Sequence, residues 1–280
     1  MTWRIGIEHR TVHRYRREVR SSYNEARMTP LTTDRQRVLE AAVRVSPAVR
    51  PVRYHDYWGT IVDAFDVHVP HTELAVTATS VVETSPAANG ASDLSWEELG
   101  SAEVRDRFGE LLAPTVRAPM SDEMIEVAES LAREISPLYA SRGAAEWVRG
   151  RLRYERGTTS VRTSATEALQ IGAGVCQDFV HLTLALLRSM GVPARYTSGY
   201  LHPEPSADVG GSHRGQSHAW VEAWAGRWVP FDPTNGSDVG ERHVVVARGR
   251  DYTDVSPLKG IFHGGPAAGL DVTVDLTRLG

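Results

Sequence analysis

Two hydrophobic periods divide the chain. From residue 3 to about 84, apolar positions recur every second residue. Ile5, Ile7 and His9 alternate with Arg4, Gly6 and Glu8, and Leu39, Ala41, Val43 and Val45 alternate with Glu40, Ala42 and Arg44. Ile61, Asp63, Phe65, Val67 and Val69 share a face after a turn at Trp58-Gly59-Thr60, and Leu74 to Glu83 alternates again. Short runs of period two separated by turn residues predict a β-sandwich. The breaker-rich stretch 85–92 reads as a linker.

Beyond the linker the period lengthens. Ser121 opens a predicted helix to about Ile135, although Met124 stands where a complete capping box carries Glu. A second helix is predicted from about Ser141 to Tyr154, with Trp147, Val148 and Leu152 turned inward, and Thr163 to Gln170 forms a short helix or turn. Between 179 and 190, apolar residues at 179, 182, 186 and 190 and at 180, 184 and 187 cover more than one helical face. That pattern predicts a largely buried helix, stopped by Gly191-Val192-Pro193.

Short strands follow at Pro193 to Leu201, at His243 to Ala247, and at Asp271 to Thr277, which pairs back onto a sheet. The polar, Gly/Pro-rich stretch 202–216 reads as a mobile flap. Ser217 to Trp224 alternates, and Arg227 to Pro233 follows Ala225-Gly226, so a hairpin is predicted with Gly226 at the left-handed end of a Trp224-Ala225-Gly226 turn. In that register paired numbers sum to 450, which sets His218 opposite Asp232 with Cβ atoms about 5 Å apart. A slip of one residue would send the two side chains to opposite faces. The predicted organisation is a β-rich domain with its linker at 1–115 and an α+β domain at 116–280.

The hairpin gives meaning to Cys176, the single cysteine of the chain. It follows Gly172-Ala173-Gly174 near a helix start, where the dipole and free N–H groups favour a thiolate. A lone cysteine is commonly an inert buried residue, but a thiol beside an oriented histidine is a nucleophile. Cys176, His218 and Asp232 supply nucleophile, base and orienter.

The same residues carry a family likeness. Gly174-Val175-Cys176-Gln177-Asp178-Phe179, Gly191-Val192-Pro193-Ala194-Arg195-Tyr196, Ser217-His218-Ala219-Trp220-Val221-Glu222 and Phe231-Asp232-Pro233-Thr234-Asn235-Gly236 resemble, in order, the core of the bacterial transglutaminase-like superfamily. Ser22 to Pro30 and Pro70 to Val76 resemble the β-rich region that precedes it. The resemblance implies a papain-like α+β core with a Cys-His-Asp triad at Cys176, His218 and Asp232. It also implies acyl transfer on peptide or isopeptide amides through a thioester, with hydrolysis expected over amine transfer. A non-catalytic peptide-binding module of the same fold is the rival from another class.

Further residues are candidates for support. Gln170 lies six residues before Cys176, the spacing papain-like proteases use for an oxyanion glutamine, though a surface role fits it as well. The Cys176 N–H is the stronger oxyanion donor. Gln177 and Asp178 are candidate supports, Asp178 as a cap of free N–H groups. Tyr200, Trp220 and Glu222 are candidate cleft residues, and Glu222 could instead pair with Arg227 or Arg195. His202 and His213 have no metal-ligand spacing, so no metal or cofactor is expected.

Composition narrows the setting. The net charge of −4 argues against general nucleic-acid binding. A single cysteine excludes an internal disulfide and fits a reducing compartment. The first ten residues have no apolar signal core, and no run approaches the ~18 apolar residues of a membrane helix. Cytoplasmic location and a protein or peptide substrate are the expectations; nothing fixes the oligomeric state.

Overall fold

The alternating N-terminal runs form five strands: β1 (Trp3–Ala26), β2 (Gln36–Ser46), β3 (Val52–His55), β4 (Ile61–Val67) and β5 (His71–Thr84). The computed structural model describes residues 2–86, 94–132 and 136–280. Most of the expected linker and the last residues of the expected helix 121–135 therefore lie outside the described residues.

β1 is the spine of the region. Trp3 to Arg14 pairs with β5, and Ser22 to Ala26 pairs with β4. The register is irregular between Arg14 and Val19, where extra residues bend the strand. The bend lets the two halves of one sheet face each other. Val45, Leu74 and Val76 from one half pack against Val19, Phe65 and Val67 from the other, the layered packing that period two predicts.

The second region begins with α1 (Trp96–Leu99) and α2 (Ala102–Leu112), which the hydrophobic period did not reveal. Their signal lies in caps: the Ser95 and Ser101 side chains accept the N–H groups of Glu98 and Val104. Then come α3 (Asp122–Ala132), α4 (Pro137–Arg151), β6 (Arg153–Tyr154), α5 (Ala165–Ile171), β7 (Ala173–Gly174) and α6 (Cys176–Ser189). The remainder is β8 (Ala194–Leu201), β9 (Ser212–Gly215), β10 (Ser217–Trp224), β11 (Trp228–Asp232), β12 (Ser237–Asp238), β13 (His243–Gly249), α7 (Tyr252–Val255), β14 (Leu258–Gly264) and β15 (Ala267–Arg278).

A second sheet runs in the order β12-β11-β10-β8-β13. α6 packs on β10 and shares its core with Ala219, Val221 and Ala223, while α3, α4 and α5 pack around it. Every residue of α6 from Gln177 to Arg188 is buried, as its all-round apolar pattern requires. The opposite face of the sheet carries Trp220 and Val245, which meet Leu31 from the N-terminal region. Gln36 locks the two regions together: its amide donates to the Val245 carbonyl (2.8 Å) and accepts the Val245 N–H (2.7 Å).

The chain end returns to the first sheet, where β14 and β15 pair with β1. One expectation changes here. The stretch 202–216 is not a free flap: its β9 portion pairs with β15, and His202 is buried. A Cβ on Gly215 would stand 2.7 Å from Leu276, so glycine is what allows that close approach. Among the described residues, no helix is long and apolar enough to cross a membrane.

Candidate active site

α6 begins at Cys176, with Val175 as its N-cap residue. Asp178 accepts the N–H of Val175 at 2.8 Å and the hydroxyl of Thr159 at 2.7 Å. Burial raises its carboxyl, and these bonds oppose the rise. Asp178 thus caps the helix and leaves the first free N–H groups of α6 at the thiol. Gly174 makes room for it, since a Cβ there would stand 2.6 Å from Asp178 Oδ2. Gly174→Ala is expected to lower the melting temperature by about 5 °C, from lost capping and overlap of ~2 kcal/mol. Gly150→Ala, which meets nothing within 4 Å in α4, serves as a control expected to be neutral or stabilising. Equal melting of both variants would refute the capping account.

The hairpin forms, but in another register. Trp224 pairs with Trp228 and Val221 with Phe231, so paired numbers sum to 452 rather than 450, and the loop is Ala225-Gly226-Arg227. Aromatic packing explains the choice. Trp224 and Trp228 meet edge to face at 5.4 Å, Phe108 of α2 contacts both, and the Arg195 guanidinium lies 4.0 Å over the Trp228 ring. The offset is even, so His218 and Asp232 keep a common face as diagonal neighbours.

Their side chains bridge the diagonal. His218 Nε2 lies 2.6 Å from Asp232 Oδ2. Asp232 also accepts the N–H groups of Thr234 (2.9 Å) and Asn235 (3.1 Å) at Oδ1, and the Asn235 amide at Oδ2 (2.7 Å). Burial disfavours the Asp232 carboxylate, yet this set of donors holds it well below the usual range. The other imidazole nitrogen is left for the half-buried Cys176, which lies close enough to act on the His218 ring. Burial works against the His218 imidazolium, but the bonds to Asp232 and Cys176 outweigh it and push His218 up to about 10. This raised value contributes stability that is complete below the unfolded value of 6.5 and is lost as pH rises through about 10.

The structure thus brings Cys176, His218 and Asp232 together, keeps Asp178 as the cap of the helix that carries the thiol, and places the other candidates elsewhere. Gln170 is exposed on α5. Gln177 is buried and donates to the Ser160 carbonyl at 3.3 Å, so it ties the 160 loop to α6. The expected cleft residues are not at a surface: Tyr200, Trp220 and Glu222 are 2%, 0% and 3% exposed. Tyr200 shares a 2.9 Å hydrogen bond with His9, and Glu222 is held by Arg195 and Arg248. His202 and His213 meet ring to ring at 5.3 Å. Asn235 and His243 escaped the sequence reading. The Asp-Pro-Thr-Asn-Gly turn signal marks Asn235, whereas nothing local marks His243.

A cavity of about 710 Å³ opens on the outer face of the second sheet, walled by β13, the 226–230 turn and the 32–36 loop. Neither Cys176 nor His218 lines it. Several of its arginines already have partners, Arg195 and Arg248 on Glu222 and Arg142 on Asp238. Volume alone does not lead to Cys176.

Comparison with known proteins matches two family models. Residues 126–233 fit the transglutaminase-like superfamily and residues 5–83 fit the bacterial transglutaminase-like N-terminal region. A Mycobacterium leprae protein is 49% identical over 277 residues, covering 99% of each chain. A Mycobacterium tuberculosis protein is 34% identical over 309 residues, covering 98% of this chain and 93% of the relative. A solved structure from Cytophaga hutchinsonii, named as a candidate cysteine protease, superposes with a TM-score of 0.76 at 21% identity, covering 99% of this chain and 98% of that one. At that identity the likeness is one of fold.

Proposed function

The chain belongs to the transglutaminase-like superfamily, and on that premise we propose that it opens peptide or isopeptide amide bonds through a Cys176 thioester, with water as the usual acceptor. The observation that carries this reading is the 2.6 Å bond from His218 to Asp232, with Cys176 beside them at the start of α6.

The resting pair is a His218 imidazolium, held by Asp232, beside the Cys176 sulfur, and the nucleophile is that sulfur once its proton has passed to the imidazole. Cys176 Sγ attacks the amide carbonyl, and the Cys176 N–H, free at the helix start, stabilises the oxyanion. His218 returns its proton to the departing amine, which leaves a thioester on Cys176. Water activated by the same imidazole releases the acid and restores the thiol.

The test offers a peptide set together with a primary amine and follows products and intact protein by mass. The expected result is hydrolysed peptide and an acid-trapped acyl adduct on Cys176, both lost in Cys176→Ala. Amine incorporation in place of hydrolysis would make the protein a transferase. No adduct, together with thiol reactivity indifferent to His218, would leave a binding module.

A further inference from the structure

His243, on β13, stands behind the Asp232 carboxylate. Its Nε2 lies 3.6 Å from Asp232 Oδ2, and its ring is buried against Trp220 at 5.3 Å. On the far side of the ring, Nδ1 accepts the backbone N–H of Gly240 at 3.2 Å. A ring nitrogen that accepts has no proton, so the neutral imidazole carries its proton on Nε2. Nε2 is buried and has no hydrogen-bond partner within reach. A buried N–H without an acceptor is costly and calls for an explanation. A bridging water does not supply one, since it needs roughly 4.5 Å between its two partners. The acceptor that Nε2–H faces is Asp232.

We propose that His243 is a positioning residue: it donates Nε2–H to Asp232 and holds that carboxylate in line with His218. The proposal rests on the triad reading above. The present separation exceeds a hydrogen bond by about half an ångström, and catalytic bonds of this kind commonly tighten when substrate binds. The charged and titratable groups acting on the ring are Asp232 on β11, His218 on β10 and Arg242 beside it in sequence. Burial disfavours the charged ring more than the bond and charge of Asp232 favour it, and His218 and Arg242 disfavour it further, so His243 is held below its ordinary value.

A rival reading takes His218, Asp232 and His243 as metal ligands, because their donor atoms lie within 4.8 Å of one another. The Gly240 N–H argues against it. A metal at Nε2 would use that lone pair and send the ring proton to Nδ1, where it would meet the Gly240 N–H head-on.

The experiment compares iodoacetamide labelling of Cys176 from pH 5 to 10 in wild type, His218→Ala, His243→Phe and His243→Gln. His243→Phe removes the donor at similar volume and is expected to slow labelling at pH 6 by about tenfold, the scale of one hydrogen bond to a charged group. His243→Gln, which keeps an N–H donor, is expected to recover most of the rate. A purely structural histidine would change melting and leave this profile in place. A His218-dependent wild type that His243→Phe leaves unaltered would overturn this proposal alone. A wild type indifferent to His218→Ala would overturn the triad reading and this proposal with it. Nitrogen-15 shifts of the wild-type ring give a check that needs no variant: protonated Nε2 supports the proposal, and protonated Nδ1 overturns it.

Discussion

Alkylation of Cys176 by iodoacetamide at pH 6 is expected to fall roughly thirtyfold in His218→Ala. An unassisted thiol with a pKa of about 8.5 is only ~0.3% thiolate at that pH. A histidine that holds the thiol proton raises the reactive fraction up to ~300-fold, and the weaker nucleophilicity of a stabilised thiolate takes back about tenfold. Burial opposes the charged ring, but Asp232 and Cys176 push His218 up to about 10, so the imidazolium persists across neutral pH and the wild-type rate should depend on pH less than that of the variant. The check is intact-mass labelling across pH, with a denatured control to show that the thiol is intact. Parallel profiles for the two proteins would remove His218 from the chemistry.

Glu222→Ala is expected to cost about 3 kcal/mol, roughly 10 °C in melting temperature at pH 7. Glu222 is 3% exposed and accepts from Arg195 at 2.6 Å and from Arg248 at 3.1 Å. Its removal leaves two guanidinium groups partly buried without their counter-charge. Burial would raise the Glu222 carboxyl, but Arg248 and Arg195 hold it below its ordinary value of 4.5. A lowered pKa contributes stability that is present above 4.5 and lost as pH falls through the folded value. The difference between wild type and variant should therefore narrow as pH falls below 4.5 and through the lowered folded value. Melting curves at pH 7 and at a series of lower pH values provide the measurement. A variant that melts with wild type at pH 7 would show that the two arginines find other partners.

Local pattern and chemistry carried much of what is now visible. The alternating N-terminal strands, the buried helix from its cysteine to Gly191, and the hairpin bearing His218 and Asp232 all follow from periods and turn residues. So does the common face of His218 and Asp232, because a register error of two keeps strand parity. Asp178 as a cap was legible because its bond from the Val175 N–H spans three residues.

The tertiary structure decided whatever depends on residues distant in sequence. Phe108 and Arg195 favour the Trp224–Trp228 pair and so set the hairpin register. β15 captures β9 and turns an expected flap into an edge strand. Tyr200, Trp220 and Glu222 share a strand pattern with cleft residues, but the N-terminal region and two arginines bury them. His243 reaches Asp232 although β10 and β8 lie between their strands, a contact that no spacing along the chain encodes. Periodicity reports which face of an element is apolar; which partner covers that face is settled by packing, and packing belongs to the whole chain at once.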